Sequence, residues 1–280
     1  MKRLLQWCWW FLRSHRPAMV GAVLLGLVAL VAIVGPIATP YGPSEAFDGA
    51  QLPSSSHWLG TDSQGYDLAT RVVYGATTTL TIALAATLLS MCLGTIIGAV
   101  AGYAGGKTDL LLMRVVDFAM SFPSFLLAMV AVAVLGKELN NVIVAVGIVG
   151  APLFARQVRA EVIRISSMDF IIAAQALGVD SSRILWRHVL PNGVGPIIVL
   201  ATLGMGSAVL DVAGLTFLGL GGDPYKTPEW GLILNQGWQE VGRGTLQVTV
   251  AGVAIFVTVL GFNLLGDGLR DELDPRARTK

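Results

Sequence analysis

Among the residues able to do chemistry, the most conspicuous is an acid inside an apolar run. Asp211 lies in Gly195 to Leu220 with Thr202 and Ser207, among the small residues Gly204, Gly206, Ala208, Ala213 and Gly214. A carboxylate is costly in hydrocarbon, so Asp211 is expected to face other helices or a watery cavity. The small residues would let those helices approach closely. The acid is placed either to receive a positively charged group on a passing solute or to be satisfied by a neighbouring helix. Asp117, one helical turn from Arg114, reads instead as half of a structural pair. His15, His57 and His188 fall in separate segments, so no shared metal site is expected. Cys8 and Cys92 have neither the number nor the neighbours for a disulfide framework. The string AGYAGGKT, Ala101 to Thr108, is one glycine short of a phosphate-binding loop. Such a loop follows a buried strand, whereas this one leaves one apolar run and enters another, so it reads as a glycine-rich turn. With no catalytic constellation in view, the chain is expected to be no enzyme and to bind no cofactor itself.

The elements that position these residues are membrane helices. The sequence is 54% hydrophobic and 13% charged, roughly half the charge of a soluble domain. Its net charge of +1 argues against a nucleic-acid partner. Six apolar runs long enough or nearly long enough to cross a bilayer are expected: Ala18 to Ala38, Thr79 to Gly102, Leu110 to Leu135 with a kink at Ser121-Phe122-Pro123, Val142 to Phe154 running on through Arg156 and Arg159, Gly195 to Leu220, and Val248 to Leu265. The chain is read as one membrane domain, 1–280. Segment 1–17 is an interfacial anchor of basic residues around Trp7, Trp9, Trp10 and Phe11. Segment 39–78 is an external loop, 156–192 a cytoplasmic loop and 267–280 a tail, with Gly266 and Gly268 loosening the helix that leads into it. Fifteen of the 19 lysines and arginines fall on the side shared by both termini and 156–192, four on the other. That asymmetry places the termini and this loop in the cytoplasm. A secondary transporter would show inverted repeats, and none is visible. A membrane enzyme or scaffold would need a cluster of His, Asp, Glu or Cys at one interface.

The loop from Ala173 to Pro191, AAQALGVDSSRILWRHVLP, is a polar island between the fourth and fifth runs. Asp169 can cap a first short helix and Gly178 can end it, since glycine takes the left-handed backbone without steric cost. Asp180 with Ser181 offers a fresh N-cap, and Pro191 is expected to stop the second helix. In the external segment, Thr61 or Asp62 can cap a short helix, and Asp67 with Arg71 forms an i,i+4 pair.

Four stretches resemble one family. Ala173, Ala174, Gly178, His188, Leu190 and Pro191 match the EAA loop of permease subunits of bacterial ABC importers, with Ile172 standing where the family has glutamate. HWLGTDSQGYDLATRVVYGA (His57 to Ala76, with Tyr66 where arginine is usual), FLGLGGDPYKTPEWG (Phe217 to Gly231) and FNLLGDGLRDELDPR (Phe262 to Arg276) resemble the dipeptide/oligopeptide/nickel (DppC/OppC-type) subfamily. The resemblance implies an all-α integral membrane protein, a type I bundle of six transmembrane helices in the bacterial inner membrane. It implies a second homologous permease, two cytoplasmic ATPase subunits that bind ATP and Mg, and an external solute-binding protein as partners. It also implies that Ile172, Ala173, Ala174, Gln175, Ala176, Leu177, Gly178, Val179, Asp180 and Ser181 form the coupling helix that docks on an ATPase, with His188, Leu190 and Pro191 shaping the loop. The substrate pathway would then use Thr202, Ser207 and Asp211, and the acid could take the amino group of a peptide. Peptides are the broader substrate class, with nickel and glutathione as alternatives.

Overall fold

The computed structural model describes residues 15–240, 242 and 244–273. The aromatic cluster at Trp7 to Phe11, Cys8 and the end of the tail beyond Leu273 lie outside the described residues. Helices α1 (Arg16–Ala38), α2 (Leu68–Ala104), α5 (Leu139–Ser166), α9 (Val194–Phe217) and α11 (Thr245–Leu273) are each long and apolar enough to cross a bilayer. Between α2 and α5 run α3 (Gly106–Met120) and α4 (Ser124–Leu135), bent 89° from one another. The short helices α6 (Asp169–Ala176), α7 (Ser181–Ile184) and α8 (Leu190–Asn192) form the polar loop, and α10 (Trp230–Gln239) lies between α9 and α11.

The two ends of the bundle are fixed by where backbones meet. At one end the start of α1 touches the last turns of α11, where a Cβ on Gly21 would fall 2.8 Å from the Leu265 nitrogen. There too the end of α2 abuts α5, with a Cβ on Gly102 falling 2.9 Å from the Arg159 carbonyl. At the other end the Tyr74 hydroxyl of α2 donates to the Pro36 carbonyl of α1 (3.2 Å), and the start of α5 lies beside Gly222. Since α2 finishes at the first end and α5 begins at the second, the bent pair α3–α4 carries the chain across as a sixth, broken crossing. The sequence led us to expect a kink here. Instead Ser121 Oγ takes the Phe118 carbonyl at 2.6 Å to close α3, and Pro123, with no N–H, opens α4 as a new helix.

Helix α2 packs along α5 on a ladder of glycines one turn apart. A Cβ on Gly94 would sit 2.5 Å from the Ala151 carbonyl, and one on Gly98 would sit 2.4 Å from the Ala155 carbonyl, so only glycine admits this approach. The central core gathers Val132, Val142, Val209, Val212, Leu215 and Trp230. A second core at the loop end joins Val158, Val162, Ile165, Ile171, Ile184 and Val189. Helix α11 runs unbroken through Gly266 and Gly268 to Leu273, so these glycines do not loosen it. Gly266 instead seats Leu203 of α9, whose Cδ2 would be 2.5 Å from an added Cβ.

The segment expected as a loop over 39–78 ends at Asp67, and its last eleven residues open α2. No short helix is capped by Thr61 or Asp62. Asp62 closes a turn, accepting from the Gln64 and Tyr66 amides at 3.0 and 2.9 Å. Asp67 caps α2 through the Thr70 amide. The Asp67–Arg71 side-chain pair is absent, because Arg71 Nη1 bonds Asp62 at 3.1 Å and Asp67 bonds His57 at 2.9 Å. His57 is accordingly buried. Residues nine and ten positions away compete better than the i,i+4 neighbour because the loop folds back over the helix start.

Candidate functional site

Three places combine chemistry with position: the polar loop, a cavity at mid-bundle, and a buried polar junction at the opposite end. The loop is built by local capping. Ser167 and Met168 turn the chain out of α5, and the Met168 amide bonds the Ile165 carbonyl at 3.0 Å. The N-cap of α6 is Met168, with Asp169 its first helical residue, so Asp169 does not cap by its side chain. Its carboxylate still favours the helix start through the backbone dipole. The end of α6 is a Schellman motif: Val179 N–H bonds the Ala174 carbonyl and Gly178 N–H the Gln175 carbonyl, with Gly178 at φ +76°. Asp180 caps α7, accepting from the Ser182 and Arg183 amides at 2.9 and 3.2 Å.

Pro191 does not stop the second helix. The chain widens into a π turn over Leu185–Val189, where the Leu190 amide reaches back to the Leu185 carbonyl, and continues through Pro191 to Asn192. Proline clashes with the carbonyl four residues earlier, and the wider turn relieves that contact. Asn192 Nδ2 then takes the His188 carbonyl at 2.6 Å, and the turn closes at Gly193.

The loop buries one side and shows the other. Ile171, Ile184, Leu185 and Val189 are in the core of the loop end, with Ala174, Val179 and Leu190 against it. Ile172, Ala173, Gln175, Ala176, Leu177, Gly178, Asp180 and Ser181 are exposed, Leu177 at 84%. Phe170 and Trp186 add to this apolar outer face. His188 is half-buried and Pro191 exposed. The loop is tied to the bent pair through α5. Arg159 makes a bidentate contact to Asp109 of α3 (2.5 and 2.6 Å), and Arg156 bonds Asp117 at 2.7 Å. Asp117 thus pairs across helices with Arg156, not along its own helix with Arg114, because α5 lies alongside α3. The AGYAGGKT string forms the end of α2, a turn with Gly105 and Gly106 at φ +62° and +54°, and the start of α3.

The cavity, about 550 Å³, opens between α2, the α3–α4 break, α5 and α9. Ser207 and Asp211 line it from successive turns of α9, and neither makes a hydrogen bond or ion pair among the described residues. Thr202 does not line it and donates to the Ile198 carbonyl at 2.9 Å. Thr87 of α2, not singled out from sequence, is 5% exposed, lines the cavity, and has no partner for its hydroxyl. Ser90 is also there but is spent on the Gly147 carbonyl at 2.8 Å. Phe122 and Met120 bring the α3–α4 break to the rim, and Phe154 brings α5.

At the third place, Asp62 and Arg71 were singled out from sequence with other partners, and Glu229 was not singled out. Glu229, fully buried, caps α10 through the Gly231 and Leu232 amides and accepts from Thr79 Oγ1 (2.9 Å) and Thr216 Oγ1 (2.5 Å). It thereby joins α2, α9 and α10, and burial pushes its carboxyl above the ordinary range despite these donors. Beside it, Arg71 Nη2 donates to the Pro224 carbonyl (2.6 Å) and Gln236 (2.9 Å), over the Tyr66 ring at 5.1 Å. Burial likewise raises the Asp62 carboxyl, against the pull of the two amides and Arg71. The Pro-Glu-Trp-Gly string held the only sequence signal, an acid before a helical pattern; that it is buried depends on α2 and α9.

A family model described as "binding-protein-dependent transport system inner membrane component" matches residues 94–279, and one described as "N-terminal TM domain of oligopeptide transport permease C" matches residues 4–55. The chain is 42% identical to a dipeptide transport system permease protein, DppC, of Alkalihalophilus pseudofirmus, over 96% of this chain and 88% of that one. It is 41% identical to a glutathione transport system permease protein, GsiD, of Escherichia coli, over 96% of this chain and 90% of the relative. Among solved structures, an inward-facing form of the MetNI methionine ABC transporter superposes with a TM-score of 0.60 at 19% identity, covering 73% of this chain and 97% of that one.

Proposed function

The chain belongs to the family of binding-protein-dependent transport system inner membrane components, and from that premise we propose that it is the peptide-translocating permease subunit of an ATP-driven importer. It is a multi-pass inner-membrane permease of the ABC importer class. In our reading its partners are a second homologous permease, two cytoplasmic ATPases that hold ATP and Mg, and an external solute-binding protein. The observation that carries the proposal is the exposed apolar face of 170–186, built on a core continuous with α5 and α9. A rigid body that displays Phe170, Ile172, Leu177 and Trp186 while anchoring Ile171 and Ile184 is suited to be pushed by a partner. Ile172 supplies an apolar contact at a position where the family has an acid, so docking here relies on burial more than on charge.

ATP-driven closure of the ATPases would move the loop, and α5 and α9 would carry that motion to the cavity they line. The ion pairs from Arg156 and Arg159 couple α3 to the same movement, so the α3–α4 break at the cavity rim would shift with the loop. Alternating access follows when the cavity changes the side on which it opens. Within this scheme 1–17 is the interfacial segment, 39–78 external, 156–192 the coupling loop and 267–280 the tail, all in one domain.

Dipeptide and glutathione transport are named for relatives of nearly equal identity. Both cargoes are short peptides, which favours peptides over nickel. Purification of the tagged chain from its native membrane in mild detergent tests the assembly: recovery of a second permease and two ATPase chains is expected, and a stable homo-oligomer without ATPase would overturn it. Deletion of the chain should abolish peptide uptake; loss of nickel uptake alone would overturn the substrate class.

A further inference from the structure

The cavity holds a free acid, Asp211, and no counter-charge. None of its lining residues is lysine, arginine or histidine. The other free polar groups are the hydroxyls of Ser124 at the start of α4, of Ser207, one turn before Asp211 on the same face of α9, and of Thr87, buried and without a hydrogen-bond partner. A buried hydroxyl without a partner carries a desolvation cost that a ligand atom would remove. Thr87 is located along α9 by Gly204, where an added Cβ would be 3.7 Å from Thr87 Cγ2. Gly204 is seven residues from Asp211, about 10 Å at the helical rise. That is about the length of an extended tripeptide.

We infer that the cavity selects the protonated amino end of its cargo: Asp211 receives the ammonium group, Ser207 accepts one of its protons, and Thr87 bonds a carbonyl about two residues further along. The carboxyl end of the cargo finds no cation among the residues that line the cavity. Recognition here is therefore one-sided, requiring a free amine and tolerating a blocked carboxyl. A metal cation fits the donor set poorly. One carboxylate with hydroxyls lacks the imidazole or thiolate ligands that soft or borderline ions select, and no cluster of three His, Cys, Asp or Glu occurs among the described residues. This inference rests on the permease reading above and adds to it the chemical group that is read.

The test uses the whole transporter in nanodiscs without its binding protein, so that the binding protein's own selectivity does not enter. The thermal midpoint is measured with millimolar trialanine, trialanine amide, N-acetyl-trialanine or nickel ion. Trialanine and its amide should each raise the midpoint by about 2 °C, and N-acetyl-trialanine and nickel should leave it unchanged. Asp211→Asn should abolish the rise, Asp211→Glu should retain part of it, and Thr87→Val should reduce it for both amines. Equal rises with the acetylated peptide, a rise with nickel alone, or no rise with any peptide would overturn the inference. Uptake of trialanine by the wild-type transporter with its binding protein, in proteoliposomes, separates the two levels. Uptake without an amine-dependent shift rejects only the amino-end site, and absence of uptake rejects the peptide permease reading as well.

Discussion

The loop of 167–193 and the polar junction at the opposite end of the bundle solve the same problem in different ways. Each must hold a short non-spanning helix in place, α6 or α10. The loop does so with neighbours in sequence: a Schellman turn at Gly178, a cap at Asp180, a π turn ahead of Pro191, and an apolar inner side. The junction uses partners more than a hundred residues apart, Glu229 with Thr79 and Arg71 with Pro224 and Gln236. The first arrangement leaves an exposed face free for a partner. The second ties Glu229, Asp62 and both terminal nitrogens of Arg71 to partners, with only Arg71 Nε left over, and fixes that end of the helices. The part proposed to transmit force is thus shaped locally, and the part that holds the opposite end is tied globally.

The contrast breaks most sharply at Arg71. Arg71→Ala should destabilise the protein by about 3–5 kcal/mol, because it strands Asp62 as a buried, unpaired carboxylate; the yield and thermal midpoint of the nanodisc-embedded protein measure this. At Glu229, Glu229→Ala should cost about 2–3 kcal/mol by orphaning two amides and two hydroxyls, read in the same assay. A midpoint within 1 °C of wild type in either variant would dissolve the contrast. In the loop, Leu177→Asp should leave the midpoint unchanged and reduce transport, because the side chain touches solvent and not the core. Gly178→Val, strained at φ +76°, should cost about 1–2 kcal/mol locally while lowering the ratio of solute moved to ATP hydrolysed; Gly178→Pro should act in the same direction. Normal coupling in both glycine variants would remove the bent-loop argument.

The smallest expected effect is on pH. Glu229 has a raised carboxyl in the folded state, so the native protein binds a proton more readily than the unfolded chain. Its contribution to stability is complete below about pH 4.5 and is lost as pH rises through the raised value. Thermal midpoints measured from pH 4 to 8 should fall with pH through that window, and Glu229→Gln should flatten the slope. Asp62 titrates in the same sense, so a residual slope is expected in Glu229→Gln and a smaller one when Asp62 is removed as well.

Much of this was legible in the residues, and the parts that were not share a cause. The membrane class and the six crossings follow from hydropathy, which a long helix in lipid must satisfy without help. The left-handed Gly178 and the Asp180 cap follow from backbone chemistry within a few positions. Where neighbours in sequence were expected to pair, Asp67 with Arg71 and Arg114 with Asp117, the tertiary structure supplied better partners in His57, Asp62 and Arg156. The glycines at 94, 98 and 102 were not singled out from sequence, because their meaning needs α5 beside them. Thr87 could not be chosen from the many hydroxyls of apolar runs until the cavity showed which one lacked a partner. Local geometry and solvent class are properties of a segment and its few neighbours, so the sequence determines them alone. Ion pairs, burial of polar groups and the shape of a cavity depend on which helices meet, and the packed bundle decides those.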